Sequence, residues 1–183
     1  GGKWVRNGFV DVGGWLVLFP RSRVFAKGVN DAQIASIVVT ANQVDVDAGK
    51  FADSRSTNAD VKTFARLMVT DHTSVNQAAT DLVTRLKVTP QENPTSQSLK
   101  SEGEKNLAGL RALDGAAFDK AYIAHEVAYH REVIHALDKT LIPGATNKEL
   151  KALLIKVRPA FVAHLEHAKH LLKQLNSPMV QGH

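Results

Sequence analysis

The sequence predicts an all-α fold, an antiparallel four-helix bundle with a short extra helix in its crossover. Three observations predict it. Apolar residues recur at three- and four-residue steps from Asp31 to Leu175. The periodic stretches are long and punctuated by turn and cap residues. No run of alternating apolar and polar residues competes as a strand.

A chain of 183 residues suits one domain and buries a core without staples. The first helix opens at Asp31, read as its N-cap, and carries Ile34, Val38, Ala41, Ala48 and Ala52 inward. Ser54 to Asn58 breaks the pattern. A second helix from Ala59 to Lys87 presents Val61, Phe64, Ala65, Met68, Val75, Ala79, Leu82 and Leu86. Pro90 to Ser98 reads as a crossover loop, followed by a short helix from Leu99 to Leu113. The third long helix spans Ala116 to Leu141 and ends at Pro143-Gly144. The fourth spans Asn147 to Leu175, with Pro159 inside it expected to kink it. Helices of about 22–30 residues are about 33–45 Å long at 1.5 Å per residue. Two short links and one long crossover give a ferritin-like connectivity. Residues 1–30 read as an N-terminal extension and 176–183 as a tail, with 31–175 as the bundle.

Composition excludes several functions. With no cysteine, disulfides and thiolate metal sites are ruled out. The net charge of +5 owes much to Lys3, Arg6, Arg21, Arg23 and Lys27, set against Asp11 alone in that extension. The remaining bases are spread over helix faces, so no stripe suits nucleic acid. The best apolar run, Trp15-Leu16-Val17-Leu18-Phe19, is far short of the roughly 20 residues of a membrane span. It also lacks a signal-peptide cleavage pattern.

The informative residues are polar ones on apolar stripes. Asp45 lies four residues after Ala41, His72 four after Met68 with Asp71 beside it, His130 three after Val127, and His164 three after Phe161. Each long helix thus turns a metal-binding residue type inward. Burying such groups unpaired costs several kcal/mol, so they need partners, and coming from four helices they have each other. Imidazole with carboxylate suits Zn, Fe, Mn or Cu rather than Ca or Mg. Glu126, four residues before His130, reads either as a ligand or orienting partner for it or as a residue of the rim. His167 can share the inward face with His164, whereas His170 reads as a surface residue. Counted from turns at Ser56 and Gly144, Asp45 and His72 differ in height by about 7 Å, and His130 and His164 by about 9 Å. A buried His–Asp hydrogen-bond network without metal is the alternative.

Four ordered strings carry a family resemblance: Asn42-x-x-Asp45-Val46-Asp47-Ala48-Gly49; Val61-Lys62-x-Phe64-Ala65-x-x-Met68-Val69-x-Asp71-His72; Phe118-Asp119-x-x-Tyr122 with His130; and Pro159-x4-His164. Together they resemble a bacterial ferritin-like family of unknown function, exported or outer-membrane proteins. The resemblance covers Asp31 to Leu175. It implies a ferritin-like bundle in the periplasm with no settled activity, and points to Asp71, His72, Tyr122, His130 and His164. Where that family commonly carries Glu in the first helix, this chain has the shorter Asp45. Di-iron ferritins need Glu from two helices and Glu-x-x-His from the other two, a pattern no inward face shows here.

The function expected is a periplasmic metal- or haem-binding protein for storage, buffering or stress protection. Its metal set is His72, His130, His164, Asp71, Asp45, Glu126 and His167, and its ligand a transition metal (Zn, Fe or Cu) or haem. The alternative is a metal-free envelope module whose His/Asp network fixes the fold. A third reading is an enzyme with an open metal position, which nothing in the sequence decides. The partners expected are a metal ion or small ligand, with a homodimer left open, no nucleic acid and no transmembrane segment.

Overall fold

The computed structural model describes residues 28–177. The expected extension over 1–30 and the tail over 176–183 lie mostly outside the described residues. So do Trp4, Trp15 and His183.

The described residues are helical, with no strand among them. Helix α1 spans Asp31–Arg55, α2 Ala59–Arg85, α3 Pro94–Arg111 and α4 Gly115–Ala136. A π-helical turn, Leu137–Leu141, continues α4 into the short α5, Ile142–Gly144, and α6 spans Lys148–Leu175. Asparagine caps begin four of them. Asn30 and Asn93 close reciprocal capping boxes with Gln33 and Ser96, while Asn58 and Asn147 accept from the second and third helical N–H groups.

Three expectations are corrected by this local chemistry. The cap of α1 is Asn30. Asp31 instead lies in the first turn and accepts from the Thr146 and Asn147 amides at 2.9 and 3.0 Å, tying α1 to the start of α6. The extra helix starts at Pro94, five residues before Leu99, because Asn93 caps it and proline at the first helical position loses no hydrogen bond. The third long helix is interrupted by the π turn. Pro159 lies inside α6, which continues as helix on both sides of it.

Neighbours run antiparallel. Asp53 near the end of α1 meets Arg66 at 2.8 Å, whereas Val39 near its start accepts from Asn76 at 3.1 Å. On the other pair, Arg158 of α6 forks onto Asp138 of the π turn at 2.6 and 2.9 Å. Helix α1 also meets α4, through Tyr129 Oη donating to the Ala41 carbonyl at 2.7 Å. Helix α2 meets α6, through Arg85 and Glu149. The α1–α2 contact is close at Gly49, where a Cβ would lie 2.9 Å from the Ala65 carbonyl oxygen. Helix α3 packs on α1, with Gly103 against Val44.

The core divides into two apolar halves. One gathers Ile34, Ile37, Leu82, Leu99, Leu137, Leu150 and Leu154. The other gathers Ala52, Val61, Phe64, Met68, Leu110, Phe118, Ile123 and Leu171. Each large side chain so buried contributes about 1.5–3 kcal/mol. Between the halves lies a layer of buried polar residues: Asn42, Asp45, His72, Glu126, His130 and His164. Among the described residues no helix is long and apolar enough to cross a membrane.

Candidate metal centre

Each of the three inward histidines is held by one ring nitrogen. His72 Nδ1 lies 2.7 Å from Asn42 Oδ1. The other end of that amide donates to the Val38 carbonyl at 2.9 Å, so the end facing His72 is the acceptor. His72 therefore carries its proton on Nδ1. His130 Nδ1 donates to the carbonyl of Glu126, one turn earlier on α4, at 2.8 Å. His164 Nε2 donates to Asp71 Oδ2 at 2.7 Å. Fixing one nitrogen of a neutral imidazole as donor leaves the other with a bare lone pair.

Those second nitrogens are His72 Nε2, His130 Nε2 and His164 Nδ1. All three are buried and accept no hydrogen bond. The three histidines bring one ring nitrogen each within 4.8 Å of one another, with ring centroids 5.2–5.6 Å apart. Burial pushes the His130 pKa down to about 4, the nearby Asp45 carboxylate notwithstanding. It lowers that of His164 as well, against the pull of Asp71. Both rings are neutral at pH 7, the state in which imidazole ligates metal.

Two buried carboxyls complete the layer. Asp45 Oδ2 stands 2.8 Å from His72 Nε2 and 3.9 Å from His130 Nε2. The closer pair is at ion-pair distance but off the line of a hydrogen bond, and neither atom has a hydrogen-bond partner. Asp45, Glu126 and His130 form a second group of ligand atoms within 4.8 Å. Burial alone would raise the Asp45 pKa; His72, with Glu126 and His130, outweighs it and holds the carboxyl well below the usual range. Burial and the Asp45 charge push Glu126 well above its own. Two adjacent carboxyls so buried hold one proton between them, on Glu126. Tyr122, wholly buried beside them, is kept a neutral phenol by burial and their charge.

The remaining predicted residues lie elsewhere. Asp71 is 37% exposed and touches the triad only through the outer nitrogen of His164, so it orients a ring. His167 is exposed, its ring roughly perpendicular to that of Phe64 with centroids 5.1 Å apart, and is not in the cluster. His170 is exposed, bonded to Gln174. His125 is buried away from the triad, against Asn106 and Tyr129.

The expected mismatch in height does not arise. The hairpins turn about the caps Asn58 and Asn147, later than Ser56 and Gly144, which levels Asp45 with His72 and His130 with His164. Sequence reading gives Asn42 no role, although it follows Val38 and precedes Asp45 on one inward stripe. Beside His72 and His130 lies a cavity of about 20 Å³, lined otherwise almost entirely by apolar side chains.

Comparison with curated proteins and with solved structures gives no match. The family model described as "Domain of unknown function (DUF4142)" matches residues 22–171, most of the chain and all of the polar layer, and the chain belongs to that family.

Proposed function

We propose that this protein binds one divalent transition-metal ion between His72, His130 and His164, with Asp45 as carboxylate ligand and Glu126 beside it. One observation carries the reading: three buried imidazoles, each tied at one nitrogen to an acceptor, bring one ring nitrogen each within 4.8 Å of one another, and their second nitrogens accept no hydrogen bond. Metal-ligating histidines have this arrangement of outer partners, a carbonyl or carboxylate fixing the tautomer of each ring. A network built only to fix the fold would pair His130 Nε2 and His164 Nδ1 as well, because an orphaned buried acceptor costs about 1–3 kcal/mol.

The donor set supports an ion of the Zn, Fe, Mn or Cu class, three imidazoles and a carboxylate being poorly suited to Ca or Mg. Drawing the nitrogens from within 4.8 Å of one another to metal–nitrogen distances near 2.0–2.1 Å takes shifts under about 1 Å each. The double positive charge also balances both carboxyls once Glu126 gives up its proton. Haem is a poor fit, since the adjoining space of about 20 Å³ holds no macrocycle.

On the same reading the two antiparallel hairpins, α1–α2 and α4–α6, form a ferritin-like four-helix bundle with α3 in its crossover. The bundle encloses its ion as a periplasmic storage, buffering or protective protein does. Location rests on the family resemblance, and cell fractionation checks it. The site is tested by Co(II) titration of purified protein. A saturating, intense visible d–d band at one equivalent, absent in His130→Ala, is expected. A spectrum that stays that of aqueous Co(II) sinks the proposal.

A further inference from the structure

The cavity beside the triad has no part in holding the ion. Val133, Leu137, Leu141 and Leu154 form much of its wall, and the rings of His72 and His130 close it on the metal side. Leu137 and Leu141 are the two ends of the π turn, and both are buried. The turn bonds the Ile142 amide to the Leu137 carbonyl, five residues back. Such a widened turn costs helix stability and is found mostly at functional positions. Arg158 pins its outer side to α6 through Asp138.

With the ion on the Nε2 atoms of His72 and His130, the other polar groups bordering the cavity are engaged as well. Asn42 is used at both ends, by His72 and by Val38. Tyr129 Oη donates to the Ala41 carbonyl. The Nδ1 atoms of His72 and His130 have their acceptors. A water molecule needs two to four polar partners, and an apolar hollow without them stays dry and takes apolar guests. At about 20 Å³ the guest is one or two heavy atoms.

Resting on the metal reading, we propose that this cavity admits a small uncharged diatomic molecule of dioxygen's class to the ion held by His72 and His130. Anions are excluded by the apolar wall. The molecule binds reversibly, with no electron or atom transfer.

The test uses Fe(II)-loaded protein whose iron content is measured first, with nitric oxide as probe and azide as anionic control. An iron–nitrosyl absorption and EPR signature is expected, without an azide complex. Ala136→Leu and the milder Ala136→Val fill the cavity from its wall. Either should keep full iron content and raise the nitric oxide Kd at least tenfold. In metal-free protein, dissolved dioxygen should broaden the methyl resonances of Leu137 and Leu141, and less so in Ala136→Val. Full iron loading without a nitrosyl, or unchanged affinity in both filled variants, overturns the proposal and leaves the metal site standing. Methyl broadening without any iron binding overturns the metal site, and delivery to it, while leaving the pocket.

Discussion

Replacing Asp71 by Asn separates a metal site from a structural network more cleanly than deleting a ligand does. Asp71 is 37% exposed, and its one contact in the layer is the 2.7 Å hydrogen bond from His164 Nε2. The amide is isosteric but offers an N–H where the carboxylate offers only acceptors. When that N–H faces His164, the ring protonates at Nδ1, the nitrogen aimed at the ion. Loss of such an outer partner weakens metal binding by about 10–100-fold, or about 1.4–2.7 kcal/mol. With free Zn at 100 times the wild-type Kd, the wild type gains about 2.7 kcal/mol of stability. A hundredfold weaker site gains about 0.4 kcal/mol under the same conditions. In a domain of this size those gains are about 5–10 °C and about 1 °C in Tm. The metal-free stabilities should agree within about 1 kcal/mol, because the Asn amide keeps a polar partner for His164 Nε2 and Asp71 is more than a third exposed. The assay is thermal unfolding in chelator and in buffered Zn. An Asp71→Asn protein with the full Zn-induced rise in Tm refutes the tautomer argument.

Other consequences follow from burial and packing. His125 and His130 have pKa values lowered to about 4 by burial, against about 6.5 in an unfolded chain. Protons then bind the unfolded chain more strongly, so the metal-free protein is most stable above that value and loses stability as pH falls from 6.5 to 4. The loss is up to about 3 kcal/mol per histidine at 1.36 kcal/mol per pH unit, less an offset from Glu126, whose raised pKa works in the opposite sense. Urea unfolding across that range checks the slope. Glu126→Gln removes the need to hold a buried carboxyl protonated. It should stabilise the metal-free protein at pH 7.5 by on the order of 1 kcal/mol while weakening Zn binding; a destabilised variant that binds Zn as tightly as wild type contradicts the assignment. Gly49→Ala puts a Cβ 2.9 Å from the Ala65 carbonyl oxygen and 3.0 Å from Val69 Cγ2. It should cost about 1–3 kcal/mol in spite of alanine's better helix propensity, and a stabilised variant would show that α1 and α2 can part freely.

Much of this arrangement is legible in sequence because helical periodicity ties spacing to direction. Asp45, His72, His130 and His164 interrupt apolar stripes, and all four are buried in one layer. What periodicity leaves open is depth and rotamer. His167 lies near the inward line yet its ring stops outside Phe64, and Asp71 reaches the triad from its rim. The tautomer locks depend on which side chain an asparagine amide or a backbone carbonyl happens to meet, as Asn42 and Glu126 show. Nothing in Leu137-Asp138-Lys139-Thr140-Leu141 marks a π turn, since its residues are as compatible with ordinary α-helix. The start of α3 was legible in principle: Asn93-Pro94 is a cap followed by a first-turn proline, easily mistaken for a loop.

The most direct measurement is the metal content of untagged protein, equilibrated with Zn and freed of loose ion by gel filtration, compared with His72→Ala, His130→Ala and His164→Ala. One tightly held ion per chain in the wild type, and less than a tenth of that in each variant, is the result expected from three converging imidazoles. Wild-type protein that emerges without metal, or single-histidine variants that keep the ion in full, contradict it.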